Sequence, residues 1–450
     1  MADIQLDSIL PDMEALIDQN QKGALLNILI DLHPADIEGI INRLRKEKRK
    51  YLFDLLPAEL ASQVLSELDA PVAEDVLHEI SEERITSIIT EMDSDDAADI
   101  IGELPDHVQA KVLDTLENDV SDEVKSLLRY DEDTAGGIMA TEVLSMPDEA
   151  TVNETIEKIR ELHEEFDNLY YVWVVNSAGK YLGSVSLTSL VLAHGNTKLN
   201  KIMDTDTQAI SSDMDQEEVA NFFKKYDIVS APVVDTHGKL IGRITIDDIV
   251  DVLEEEGSED IARIAGAPDE EIQEDSAFII SRARIPWLLV AFAGELVAAY
   301  ILSFFSLQLS QQVIIALFIP VVMAMGGASG QQASVTVVRG LATGDIELRD
   351  TKTRLYKEFR ISLLNSLFFS FLLFGIVYLW YGLIFAIILG GSMFIVINNA
   401  TVLGALVPLM FKRLNIDPAL AAAPLVSTTN DIIGLVIYLT ITTVILSFGL

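Results

Sequence analysis

Five long apolar runs, all beyond residue 281, constrain this chain more than anything else in it, because about 20 helical apolar residues cross a hydrocarbon core. They are Ile285 to Leu307, Val313 to Val338, Ile361 to Tyr381, Leu383 to Phe411 and Leu420 to Phe448. Charge divides at the same place. Residues 1–281 hold 63 of the 70 acidic and 21 of the 31 basic side chains, a formal −42, while the remainder holds 7 acids and 10 bases. An acidic water-soluble body is thus joined to a membrane body. So much negative charge argues against nucleic acid, whose phosphates it would repel. The chain has no cysteine, which excludes disulfides and thiolate metal sites and leaves oxygen ligands for hard cations such as Mg²⁺ or Ca²⁺. Its opening, MADIQLDSILPDMEALIDQ, lacks the charged and apolar regions of a signal peptide, so the acidic half is expected in the cytosol.

Orientation follows from the cations. Arg282 and Arg284 precede the first run, and Arg349, Lys352, Arg354, Lys357 and Arg360 lie between the second and third. Lys412 and Arg413 lie between the fourth and fifth, and the other two connections carry no charge. Alternate basic loops predict a cytoplasmic N-terminus, five crossings and a C-terminus outside.

Within the second run, Pro320, Gly326, Gly327, Gly330, Gln331 and Gln332 predict interrupted helix. Such backbone is tolerated at membrane depth when it is packed in protein or lines an aqueous cavity, and small residues also serve as close helix contacts. In the fifth run, Asp417-Pro418 supplies a cap and first-turn proline and Pro424 a kink. Asp431 then falls about 20 Å along a helix counted from Asp417, at about 1.5 Å per residue. An ionisable group inside the membrane costs at least about 3 kcal/mol and reads as functional by default. Its neutralisation by a proton or by Arg339 is the plain alternative. Glu295, in the first run, is a second intramembrane acid with no polar neighbours in sequence. Asn398, Asn399 and Thr401 read as interhelical hydrogen-bonding groups.

The soluble half contains two repeats. From residue 32 to 116 a phrase recurs as Leu32-His-Pro-Ala-Asp-Ile, Leu56-Pro-Ala-Glu-Leu, Met92-Asp-Ser-Asp-Asp-Ala and Leu104-Pro-Asp-His-Val. Each joins a turn, an acidic cap and an amphipathic run, which predicts short stacked helices in an α-solenoid-like domain. The second repeat has a period of 59 residues and aligns 174–191 with 233–250. Each copy reads as strand, Gly-Lys turn, strand and helix. Beyond it, residues 247–275 hold 13 acidic residues against Arg263 alone. Like charges at i, i+3 and i+4 repel, so this stretch calls for counter-cations, and weak oxygen sites that leave waters in place suit Mg²⁺.

The second repeat resembles a tandem pair of CBS domains, which often bind adenine nucleotides. That resemblance implies a ribose held by Thr245 and Asp248 in the second copy, with ATP the candidate nucleotide; the first copy has Ser186 and Ser189 at those places. The whole order of elements resembles the MgtE family of bacterial magnesium channels. Its most specific passages are Tyr130-Asp-Glu-Asp-Thr-Ala-Gly-Gly-Ile-Met139, Asp215-Gln-Glu-Glu-Val219, Gly340-Leu-Ala-Thr-Gly-Asp345 and Pro424-Leu-Val-Ser-Thr-Thr-Asn-Asp431.

The resemblance implies a multidomain protein: an α-solenoid-like N domain (1–130), α/β tandem CBS domains (131–200 and 201–255), an acidic connecting helix (256–281) and an all-α five-helix transmembrane domain (282–450). It implies a homodimer in the bacterial inner membrane, with a pore lined by the second and fifth helices and Asp431 as the central Mg²⁺ site. The implied sensing acids are Asp95, Asp99, Asp215, Glu217, Asp227, Asp248, Asp251, Glu256, Glu259 and Asp260, with Asp417 at the pore mouth. Cytosolic Mg²⁺ bound there would close a channel that takes up Mg²⁺ passively, without enzymatic activity.

Several positions depart from the family's pattern. Gln63 stands where a glutamate ligand is usual, Ala328, Gln331 and Ala423 replace asparagines near the ion path, and Glu295 is additional. These departures open the alternative of a transporter with selectivity shifted toward Co²⁺ or Mn²⁺. A nucleotide-regulated membrane receptor and a CBS-bearing anion channel are further alternatives; the receptor needs no intramembrane carboxylate, and Asp431 disfavours the anion channel.

Overall fold

The computed structural model describes residues 6–68, 70–162, 168–265, 277–346, 348–414, 416–419 and 424–447. Two compact units divide at Glu254/Glu255.

The first unit opens with ten short helices among the described residues: α1 (Leu6–Asp18), α2 (Lys22–Ile30), α3 (Pro34–Arg43), α4 (Lys46–Phe53), α5 (Ala58–Ser66), α6 (Ala70–Glu79), α7 (Glu82–Ile89), α8 (Ser94–Glu103), α9 (Asp106–Thr115) and α10 (Asn118–Leu127). The repeated sequence phrase marks their starts. Pro34 is the first residue of α3, while Pro57, Asp93 and Pro105 are the N-caps of α5, α8 and α9. A proline tolerates these positions because its missing N–H has no intrahelical partner there. Helices this short are marginal alone; they persist by burying one face. Leu25, Leu29, Ile37, Ile40, Ile41, Leu52 and Phe53 are fully enclosed, each contributing about 1.5–3 kcal/mol of burial.

The two CBS copies have the same build. In the first, β1 (Ser145–Pro147) runs parallel to β2 (Tyr171–Val175), which is antiparallel to β3 (Tyr181–Ser186). In the second, β4 (Ile210–Ser211), β5 (Ser230–Val234) and β6 (Leu240–Thr245) repeat that order. Helices α11 (Val152–Glu161), α12 (Leu187–Leu192), α13 (Gln216–Tyr226) and α14 (Ile246–Ala265) complete the pair. The Gly-Lys turns of the two copies bond to each other: Tyr181 N–H donates to Gly238 O and Leu240 N–H to Gly179 O, both at 3.1 Å. Helix α14 runs through the expected boundary at residue 255, because its acidic stretch carries no helix breaker other than Gly257. Residues 266–276 of the expected connecting segment lie outside the described residues.

The Tyr130–Met139 passage is a strap between the helical domain and the second CBS copy. Ala135 N–H donates to Met214 O at 2.7 Å, Gly136 N–H to Ser212 O at 2.9 Å and Gln216 N–H to Asp133 O at 2.9 Å. Just beyond it, the Glu142 carboxylate accepts from Ser94 N–H (3.1 Å) and Ser94 Oγ (2.8 Å), fastening the start of α8.

The second unit contains α15 (Ala277–Phe304), α16 (Ser306–Gln311), α17 (Val313–Ala342), α18 (Thr351–Tyr381), α19 (Leu383–Arg413) and α20 (Pro424–Ser447). Five of its helices are long and apolar enough to cross a membrane: Ile280–Phe304, Val313–Ala342, Leu348–Tyr381, Leu383–Arg413 and Val426–Ser447. Two features differ from the sequence reading. Helix α17 continues through Pro320 and the Gly326-Gly327 pair. Helix α18 begins ten residues early, so Lys352, Arg354, Lys357 and Arg360 are helical and not in a loop. The described part of the fifth helix begins at Pro424, and residues 420–423, which would tell whether Pro424 kinks it, lie outside the described residues.

Small residues explain why α17 stays intact. A Cβ on Gly404 of α19 would lie 2.1 Å from Gly330 O of α17, and one on Gly326 would lie 2.8 Å from Val396 Cγ1. The two backbones approach closely enough for dispersion contact to replace side-chain interdigitation. Asn398 of α19 accepts from Ser362 Oγ at 2.7 Å and donates to Ser366 Oγ at 2.6 Å, tying α19 to α18 as expected. Thr401 instead donates to Ile397 O within its own helix.

Candidate ion sites

Three groups of carboxylates stand out, and each is positioned differently. In the first unit, the N-terminus of α8 presents Asp93, Asp95, Asp96 and Asp99 to the start of α14, which carries Asp247, Asp248 and Asp251. Asp95 is 9% exposed. Burial, reinforced by Asp248 and then by Asp96, holds its carboxyl well above the usual range. Burial first, then Asp93 and Asp248, pushes Asp96 up to about 7. Asp248 is raised to about 6 by burial, against the opposing hydrogen bond from Thr245 N–H. Burial and then Glu67 raise Asp251. Like charges gathered in a poorly hydrated place favour protons or cations. Among the described residues, no three acidic or histidine side chains come together as one closed metal-ligand set.

The implied nucleotide pair is placed by the same helix start. Asp248 accepts from Thr245 N–H at 2.8 Å and Thr245 Oγ1 at 3.0 Å. In the first copy Ser186 Oγ and Ser189 Oγ are 2.9 Å apart. Asp248 therefore serves the ribose candidate and the acidic group at once.

Asp215 and Asp227 have local work. Asp215 caps α13, accepting from Glu217 N–H at 3.0 Å, and Asp227 ends the same helix in the left-handed region with φ 52°. A non-glycine residue there is uncommon, with Asn and Asp the frequent exceptions.

The second group lies in the second unit. Glu256, Glu259, Asp260 and Arg263 of α14 meet Asp417. Arg263 donates to Asp417 Oδ2 at 2.5 Å and also pairs with Glu259. Burial, then Asp417 and Glu256, raises Asp260 to about 6. Asp417 accepts from Ala419 N–H at 2.7 Å, as a cap does. The sequence reading expects Asp417 as a cap and, by resemblance, as an ion ligand; in the structure it also meets a guanidinium.

The third group is inside the membrane helices. Asp431 lies seven residues into the described part of α20, about 10 Å along it. Its side chain is in hydrogen-bond contact with Glu295 of α15. The sequence reading left Glu295 without polar neighbours, because a partner 136 positions away leaves no periodic signal. Asn430, 1% exposed, has no partner on either side-chain polar atom among the described residues.

Family models match most of the chain. Residues 32–133 match the MgtE intracellular N domain, 135–195 and 199–255 match CBS domains, and 319–441 match a divalent cation transporter model of the MgtE type. The magnesium transporter MgtE of Thermus thermophilus is 35% identical over 443 residues, covering 96% of this chain and 98% of its own length. The chain belongs to the MgtE family of magnesium transporters. The Bacillus subtilis MgtE is 31% identical over 72% of each chain. The cytosolic domain of the Mg²⁺ channel MgtE, solved in complex with ATP, is 33% identical and covers 54% of this chain and 99% of its own, with a TM-score of 0.51. The soluble part of a magnesium transporter, at 26% identity, covers 56% and 99% with a TM-score of 0.52. MgtE membership agrees with the helical N domain, the paired CBS copies and the five apolar helices described above.

Proposed function

We propose that this MgtE chain forms a homodimeric, Mg²⁺-gated channel for passive Mg²⁺ uptake across the bacterial inner membrane, with its N-terminus cytoplasmic and its C-terminus outside. The observation that carries the reading is Asp431, a carboxylate held within the apolar helix α20. Two copies of it, one from each subunit, attract a divalent ion about twice as strongly as a monovalent one at the same distance, since the Coulomb energy scales with charge. An inside-negative potential supplies about 2.3 kcal/mol per charge per 100 mV, so uptake requires no hydrolysis.

Gating uses the acids of the soluble body. At low cytosolic Mg²⁺, the crowded carboxylates of Asp95, Asp96, Asp248 and Asp251 repel. At high Mg²⁺ the ion neutralises them and stabilises the closed arrangement, which is feedback through differential affinity for two states. Asp99, Asp215, Glu217 and Asp227 extend this sensing surface. Glu256, Glu259, Asp260 and Asp417 form its second part, where Mg²⁺ competes with Arg263. ATP at Thr245 and Asp248 shares a carboxylate with the sensor, so nucleotide and Mg²⁺ act on one helix start.

Uptake into proteoliposomes under an inside-negative potential tests the pore. Mg²⁺ enters through the parent and not through Asp431→Asn; undiminished flux in that variant refutes the assignment. Deleting residues 1–130 leaves channels that stay open at high internal Mg²⁺, and unchanged closure would place the sensor elsewhere.

A further inference from the structure

Glu295 is an ionisable side chain in a helix otherwise built to face lipid and protein. Insertion of such a group costs a few kcal/mol, and in membrane bundles these groups face the interior or a watery cavity and pair with another polar group. Here the group it meets is the Asp431 carboxyl.

The approach is set by the register of the two helices. A Cβ on Gly294 would lie 1.8 Å from Thr428 Cγ2, so α15 comes against α20 at the turn preceding Asp431 only because residue 294 lacks a side chain. Thr428 and Asp431 share one face of α20, three residues apart. Gly294 seats on Thr428, and Glu295 is thereby delivered to Asp431. Arg339, an intramembrane cation, lies in the last turn of α17.

We propose that Glu295 is a specificity-determining residue of the ion path: together with Asp431 it gives each subunit a two-carboxylate station that admits divalent transition ions, Mn²⁺ and Co²⁺, alongside Mg²⁺. This inference rests on the reading of Asp431 as an ion-path residue. Two carboxyls in contact must share a proton or take up a cation between them, and a divalent cation can replace that proton. The second carboxylate does not help all divalent ions equally. Mg²⁺ gives up its waters reluctantly and is held well by one carboxylate through its hydration shell. Mn²⁺ and Co²⁺ lie on the rising affinity series of the first-row metals and gain more from direct ligation.

The test is uptake of Mg²⁺, Mn²⁺ or Co²⁺, each supplied alone, into proteoliposomes holding the full chain or its variants. The parent transports all three ions. In Glu295→Gln, Mn²⁺ and Co²⁺ uptake falls about tenfold or more while Mg²⁺ uptake falls less than about threefold, as the different cost of dehydration requires. Glu295→Asp, which keeps the charge, recovers at least part of the Mn²⁺ and Co²⁺ flux. Equal losses for the three ions, or unchanged ratios, overturn the proposal. If Glu295→Gln cannot be purified folded, the parent decides alone: exclusion of Mn²⁺ and Co²⁺ by the parent also overturns it. Failure of the Asp431 reading looks different, since it appears as persistent Mg²⁺ flux in Asp431→Asn.

Discussion

The soluble and membrane units both keep carboxylates away from bulk water, but by opposite means. In the soluble unit many acids crowd at helix starts and are largely buried by one another's elements, as with Asp95, Asp96 and Asp248. In the membrane unit few acids are present, and the two on α15 and α20 meet each other. Under the proposed function, the contrast teaches that crowding and solitude both create a demand for bound cations, with different sensitivity. A crowd responds gradually, because each ion relieves several neighbours; a pair changes its whole character when one member is lost.

The largest expected effect breaks the close packing of the membrane helices α17 and α19. Gly404→Val places side-chain atoms where even a Cβ is 2.1 Å from Gly330 O. Overpacking of this kind costs about 3 kcal/mol or more, and size-exclusion profiles in detergent should show loss of the folded species. Retention of a sharp, thermostable peak would show that the helices separate readily.

The next effect sharpens the crowd. Asp96→Asn removes a carboxyl that burial holds near 7, and at pH 8 without Mg²⁺ it should stabilise the soluble unit by on the order of 2 kcal/mol. It should also weaken stabilisation by added Mg²⁺. Limited proteolysis of the full chain reports both; a faster-cleaved variant at pH 8 would contradict the account.

Protonation offers the same comparison without mutation. Asp96 and Asp248 rise from an ordinary 3.8 to about 7 and about 6 when folded. The folded state therefore binds protons more tightly than the unfolded one, and this stabilisation is lost as pH climbs from about 4 through 7. Protease resistance of the parent in chelator should decline over that window, and Mg²⁺ should restore it at pH 8. A resistance that increases with pH would reverse the assigned sign.

The smallest effect concerns the neutral polar contacts of the membrane unit. Asn398→Ala loses the bonds to Ser362 and Ser366, worth about 0.6 kcal/mol on average for such contacts between membrane helices. Thermal unfolding in detergent should shift by only a degree or two.

Elements with a strong period or a long apolar run were legible in the sequence. The CBS copies are one example, since strand alternation and Gly-Lys turns are local signals. The five crossings are another, because hydropathy needs no partner. Continuity of α17 through Pro320 was not legible: what holds it is the Gly330–Gly404 approach, which joins residues 74 positions apart. The start of α18 was misread because Lys352, Arg354 and Lys357 suggest a loop by charge, although all are good helix formers. Of the candidate site, the residue types and their concentration could be read, whereas the pairings could not. Arg263 with Asp417 and Glu295 with Asp431 each join residues far apart in sequence, and only packing decides them.

The crossed hydrogen bonds between the Gly179 and Gly238 turns also bear on how such a chain can change over generations. Each turn supplies both a donor and an acceptor to the other, so an insertion in one would strand groups in both. Duplicated domains usually drift apart in loop length; these two turns are bound to a common length, and a viable lengthening would have to arrive in both copies together.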